Sequence, residues 1–350
     1  MDLGNRLECQ LDWYLWERSI GVRLAAHEPR DEGIALALDR PWEGPFSNYG
    51  TVLVDRDGLY RLYYRGLPVP KHDTGDESLC VAFSRNGIDW FRPVVDRVSV
   101  RGSKRNNVLI GGSAPGTHAF GLMLDTRPGV RPPERWKGLG VERTQDGKDW
   151  ALGGYVSGDG LRWSRIREAP VIVNDTGHFA FDSQNLPLWS AAEGKYVAFG
   201  RTWKDGKRRI SRWESTDFRN WSGSTLMEYR AADGSPAPVE EMYINQTTPY
   251  FRAPHVLLAT AARFFPGRQV LTESEAKAIR VDPGYFKDTS DCVLMTSRGG
   301  ARYDRALPGA LIKPGIGARN WVSRSNYPAC GVVPTGPERM SIYVFQDYGQ

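Results

Sequence analysis

Three seven-residue segments with the same turn chemistry recur along the chain: Ser84-Arg85-Asn86-Gly87-Ile88-Asp89-Trp90, Ser157-Gly158-Asp159-Gly160-Leu161-Arg162-Trp163 and the variant Ser215-Thr216-Asp217-Phe218-Arg219-Asn220-Trp221. A decayed fourth copy is Ser297-Arg298-Gly299-Gly300-Ala301-Arg302-Tyr303. In the pattern S-x-[D/N]-G-x-x-W the Asp/Asn-Gly step suits a tight hairpin that needs positive φ, and the aromatic then packs on the preceding strand. Upstream lie short runs such as Leu59–Tyr64, Lys195–Phe199 and Val256–Thr260. Their residues favour a pleated, half-buried surface.

Each unit therefore reads as an inner strand, a hairpin, an outer strand ending at the turn motif, and a return of the chain. Four copies at irregular spacing predict an all-β, five-bladed β-propeller of four-stranded antiparallel blades. A β-sandwich with coincidental turns is the alternative. The inner strands are expected to start near Tyr49, His118, Asp182, Tyr243 and Tyr327, within a single domain spanning 1–350. The last unit, Met340–Phe345, has no turn motif of its own. Strands from the N-terminal segment 1–40 (Trp13–Arg23 and Ile34–Leu38) are expected to complete it and close the ring, which removes exposed edges. The other explanation is a chain that stops before its closing strand. Helical periodicity is weak, and Thr272–Arg280 is the best helical stretch.

Composition narrows the function classes. Hydrophobic residues make up 40% of the chain, with twelve Trp, fifteen Tyr and thirteen Phe, enough for a large core. The net charge of +5 is dispersed, so no nucleic-acid arm or polybasic membrane patch is expected, and Lys207-Arg208-Arg209 reads as a solvated hairpin tip. No stretch approaches a membrane span, and the N-terminus lacks an apolar signal core. A soluble protein is expected, cytoplasmic or exported with its signal removed. Cys80, Cys292 and Cys330 sit in apolar strand-like runs and read as small buried hydrophobes, with no zinc-ligand spacing. Neither a metal nor a cofactor is expected, and the sequence leaves the oligomeric state open.

The turn motifs on a five-blade count resemble the five-bladed glycoside hydrolase superfamily, including families 32, 43 and 68. Phe181-Asp182-Ser183-Gln184-Asn185 followed by Gly194-Lys195-Tyr196-Val197 resembles bacterial members of this group. So do Pro41-Trp42-Glu43-Gly44, Asp125-Thr126-Arg127-Pro128-Gly129 and Met242-Tyr243 through Thr248-Pro249-Tyr250. The resemblance implies a glycosidase acting on an oligo- or polysaccharide. It also has gaps. The W-[M/L]-N-D-P signature of family 32 is absent, and Ser47-Asn48-Tyr49-Gly50 at that place carries no carboxylate, the nearest being Glu43. Neither an R-D-P nor an E-C motif is present, and the hairpins lack the extra residue of the sialidase Asp-box.

Inner strands of a propeller begin at the mouth of the central channel, so residues there converge on one pocket. Glycoside hydrolysis needs two carboxyl groups, one protonated and one ionised. Asp182 is the first candidate, Glu241 the second, with Glu240 beside it as an equal possibility, and Glu43 the third. Asp125 reads rather as a structural turn. His118 and His178 are candidate donors to sugar hydroxyls, joined by Asn185, Asn245 and Arg324 as expected substrate contacts. Arg65, Arg201 and Arg263 recur after the second strand of three units, where a guanidinium holds a carboxylate ionised or binds an acidic sugar. Tyr243 and Trp321 are among the aromatics available to stack on a sugar face. Rival readings are a non-catalytic sugar-binding propeller and a glycoside phosphorylase. The phosphorylase would need clustered Arg/His beside a single acid.

Overall fold

The computed structural model describes residues 3–70, 75–144 and 146–350. It is an all-β propeller with almost no helix. Four sheets of four or more strands follow one another along the chain. The first is built on Asn48–Val54, Tyr60–Gly66 and Ser78–Ser84, the second on Gly121–Leu124, Trp136–Arg143 and Trp150–Ser157. The third uses Leu186–Ser190, Lys195–Lys204 and Lys207–Ser215, the fourth Glu241–Ile244, Thr247–Tyr250, Ala253–Phe265 and Thr289–Ser297. Two short ladders, Tyr327–Pro328 with Val344–Phe345 and Val333–Gly336 with Arg339–Ser341, form a smaller C-terminal unit.

Local chemistry shapes the outer hairpins. In the first three copies the Ser hydroxyl accepts from the backbone N–H three residues on, at 2.9 Å, and the Asn or Asp side-chain oxygen accepts two further N–H groups of the turn. The Trp folds back and donates its indole N–H to the carbonyl of the turn residue at 3.2 Å in all three. That residue has positive φ, 75° at Gly87 and Gly160 and 64° at Phe218. Phe218 tolerates the left-handed region because its ring is fully buried against Tyr196 and Trp221. The short helix Glu273–Ala278 forms where the sequence expects one, capped reciprocally by Thr272 and Glu275.

Apolar clusters lie between neighbouring units in a circle. Tyr63, Leu79, Phe120 and Trp136 join the first sheet to the second, and Leu139, Leu152, Tyr196 and Phe218 join the second to the third. Phe199, Ile210, Leu257 and Met295 join the third to the fourth. The C-terminal unit packs on both sides: Val332 against Tyr250 and Val256, and Ala329 and Val333 against Val52 and Tyr64. Burial of each such side chain contributes roughly 1.5–3 kcal/mol, so the seams between sheets hold the ring.

The closing seam differs from expectation. Among the described residues none before Asn48 lies in a strand, so Trp13–Arg23 and Ile34–Leu38 contribute no closing strands. Ile20 and Ile34 are exposed, while Leu36 and Leu38 pack, without pairing as strands, against the cluster of the first sheet and the C-terminal unit. Ion pairs anchor this segment instead: Glu8 and Asp12 meet Arg298, and Glu8 also meets His255. The first sheet is met by the C-terminal unit, where Val52 N–H donates to Cys330 O and Cys330 N–H to Gly50 O. The contact is so close that a Cβ on Gly331 would sit 2.0 Å from Val52 O.

Cys80, Cys292 and Cys330 are free and buried. Burial pushes the Cys80 and Cys330 thiols up to about 12, which makes them inert packing residues. Among the described residues no helix is long and apolar enough to cross a membrane.

Candidate functional site: a charged cluster at the inner strand ends

The inner ends of the sheets meet at a group of charged and aromatic side chains. Asp182 follows Phe181, whose φ of 69° turns the chain just before the inner strand of the third sheet. Its Oδ1 accepts from His118 Nε2 at 3.2 Å, at the corresponding place in the second sheet. Its Oδ2 accepts from Arg201 Nη2 at 2.6 Å. His118 donates its other ring N–H to Glu77 at 2.9 Å, and Glu77 lies 3.9 Å from Arg65 of the first sheet. Burial alone would lower the His118 pKa, but Glu77 and Asp182 on its two nitrogens outweigh it and raise it to about 9. The imidazolium is therefore the form present at neutral pH.

Tyrosines tie the cations together. Arg65 stacks on Tyr49 at 4.3 Å, and Arg201 and Arg324 stack on Tyr243 at 4.5 and 5.2 Å. Arg65 and Arg324 both donate to the Tyr348 hydroxyl. Burial by itself raises the Tyr243 pKa, but Arg324 and Arg201 reverse it and hold the phenol below its ordinary value. Within this group Asp182 is the carboxylate that reaches solvent, its side chain 26% exposed against 2% for Glu77.

Beside the charges lies a belt of amides. Gln184 donates to Thr51 Oγ1 at 2.9 Å, and Gln246 donates to Gln184 Oε1 at 3.0 Å and to Pro328 O at 2.7 Å. The belt links the first, third and fourth sheets and the C-terminal unit across the axis. Thr51, Gln184 and Gln246 are all buried, so the belt pins the sheets to one another.

The remaining candidates fall elsewhere. Glu43 is wholly buried; its carboxylate accepts from Arg92 at 2.7 and 2.8 Å and from the Tyr64 hydroxyl. With no exposed surface, its side chain anchors Arg92 and Tyr64 and stands apart from the Asp182 cluster. Glu241 pairs with Arg208 at 2.6 Å, and Glu240 with Arg263 and Arg305. Both line an open groove of about 530 Å³ with Lys207, Val239 and Phe264 to Arg268. Arg208 is not the solvated tip that its sequence context suggests. It stacks on Trp203, Tyr243 and Phe264, so Tyr243 connects the groove to the cluster.

Asn185 and Asn245 are buried turn locks, donating to Phe181 O and Ser183 O and accepting from Thr247 N–H respectively. Exposed His178 lies on the loop whose next residue, Phe179, packs on Trp150, which in turn packs on His118. Trp321 packs in a satellite cluster with Leu271 and Val281 and donates to Gly315 O. Arg263 pairs with Asp291 at 2.6 Å as well as with Glu240. Asp125 is a buried structural acid, in keeping with its turn context. Sequence reasoning assigned no site role to Glu77, Tyr49, Gln184 or Gln246. Positive φ at Tyr49, Ala119, Phe181, Gln246 and Asn326 marks these inner ends, but backbone geometry of that kind has no residue signature except at glycine.

No protein-family model matches the sequence, and no curated protein is significantly similar to it. Solved structures do share the fold. A thermostable family-43 glycoside hydrolase is 11% identical with a TM-score of 0.54, over 87% of this chain and 85% of its own. The protein BT0996, solved as a complex with RGII, is 12% identical with a TM-score of 0.53, over 92% of this chain and 92% of its own.

Proposed function

We propose that this chain is a glycoside hydrolase acting on a glycosidic bond of an oligo- or polysaccharide, with Asp182 as its reacting carboxylate. The observation that carries the reading is the position of Asp182, solvent-reaching among buried charges at the inner strand ends, with a cation on each oxygen. A carboxylate held this way is suited to act as base or nucleophile. Glu241, across Tyr243 in the groove, is the second carboxyl group, and Arg208 must release it for proton donation. The C-terminal ladders count as a reduced fifth blade, closing a ring in one domain. Carbohydrate is the partner.

One observation favours a second reading. Clustered Arg and His beside one solvent-reaching acid of the cluster, among the described residues, is the arrangement a glycoside phosphorylase needs, with phosphate taking the place of water. A screen of aryl-glycosides and oligosaccharides, each with and without inorganic phosphate, tests both. Phosphate-independent turnover abolished by Asp182→Asn supports hydrolysis. Turnover that appears only with phosphate supports the second reading, and unchanged turnover in Asp182→Asn removes Asp182 from either.

A further inference from the structure

Among the described residues, the cations at the inner strand ends outnumber their counter-ions. Three guanidiniums, Arg65, Arg201 and Arg324, and the His118 imidazolium face two carboxylates, Glu77 and Asp182. Among the described residues Arg324 has no carboxylate within ion-pair distance, and its guanidinium donates to the Tyr348 hydroxyl. Arg201 Nη1 is buried without a hydrogen-bond partner, and so is Arg65 Nε. Buried cations are ordinarily paired, because removing unpaired charge from water is costly. Arg92, Arg212 and Arg263 follow this rule, meeting Glu43, Glu193 with Glu214, and Asp291, whereas buried Arg209 donates to Met227 O and has no carboxylate within ion-pair distance among the described residues. What sets the inner strand ends apart is that three guanidiniums and an imidazolium gather around two described carboxylates.

We infer that this cluster is an oxyanion subsite beside Asp182, taking either the carboxylate of a uronic acid residue or free inorganic phosphate. Guanidinium N–H groups lie in one plane and match the spacing of two oxygens on such an anion. The face of Tyr243 is flanked by Arg201 and Arg324, which places an anion bound there next to the carboxylate of Asp182. The inference rests on the reading of this cluster as the sugar site, and it adds the charge of what is bound there.

Calorimetric titration of the purified chain decides the matter, with glucuronate, galacturonate, inorganic phosphate and the neutral sugars glucose and galactose as probes. One anion class is expected to bind at least about tenfold more tightly than the neutral sugars, the scale of a charge-assisted contact. Tight uronates identify a substrate carboxylate, and tight phosphate identifies the free ion. Arg324→Gln should erase that preference while Arg324→Lys keeps part of it. If neither anion outcompetes the neutral sugars, or if folded Arg324→Gln retains the full preference, the subsite does not exist. Should Arg324→Gln fail to fold, the wild-type comparison alone decides. Anion binding without turnover of any glycoside would refute the catalytic reading and leave the subsite standing; turnover of neutral glycosides with no anion preference would do the reverse.

Discussion

Two buried charge networks in this protein look alike in composition and differ in balance. Between the second and third sheets, Lys137 donates to Asp125 Oδ2 and to Glu134 O, both at 2.7 Å. Tyr196 donates to the same Asp125 oxygen at 2.7 Å, and Arg127 N–H donates to Oδ1 at 2.9 Å. Lys137 and Asp125 are both fully buried, and one cation faces one anion. At the inner strand ends, among the described residues, the cations are in excess, Arg201 Nη1 and Arg65 Nε lack hydrogen-bond partners, and Asp182 reaches solvent. A closed network holds sheets together, whereas an open one has capacity left for something else. The proposed function places the chemistry in the second of these networks.

That contrast can be broken by mutation. Asp182→Asn should lower turnover by roughly 10²–10⁴-fold, the range for losing an acid–base group, while thermal unfolding shifts little. Steady-state kinetics beside a melting curve reads both, and a large drop in melting temperature with turnover retained would invert the assignment. Lys137→Met should do the opposite. It leaves Asp125 buried and uncompensated, costing about 3–5 kcal/mol in urea unfolding, with the kinetic constants of the folded fraction unchanged.

A pH titration sharpens the comparison. The folded His118 pKa of about 9 lies above the ordinary value of 6.5, so its protonation stabilises the fold fully below about pH 6.5. That stability is lost as pH rises through 9, since the native state then holds a proton the unfolded chain has already released. Denaturant unfolding from pH 6 to 10 should show the decline, and His118→Gln should flatten it. The smallest effect belongs to the outer hairpins: Asp159→Ala removes the acceptor for Leu161 and Arg162 N–H and should cost about 1 kcal/mol in unfolding, with turnover intact.

Local contacts explain why the outer hairpins can be read so directly. Ser157, Asp159, Gly160 and Trp163 complete their hydrogen bonds within seven residues, so the pattern is visible without any tertiary information. The inner-strand starts follow from counting those repeats, and Asp182, His118, Arg201, Tyr243 and Arg324 do come together. Glu43 escapes the same reasoning because proximity to a strand start says nothing of which way a side chain turns; it faces Arg92 and Tyr64. The N-terminal segment escapes it because edge closure depends on which segment arrives with complementary surface, and the C-terminal unit supplies that through Ala329, Cys330 and Val333.

Turn chemistry and strand periodicity act over fewer than ten residues, so the repeating hairpins, the all-β class and the places where inner strands begin are legible from the residues alone. The tertiary structure alone decided which charges share partners. Glu77, His118, Asp182 and Arg324 lie far apart along the chain and meet only when the sheets take their places. Whether a charge is neutralised or left in excess is a property of that meeting, because the energy of a buried ion depends on its neighbours in space and not on its neighbours in sequence.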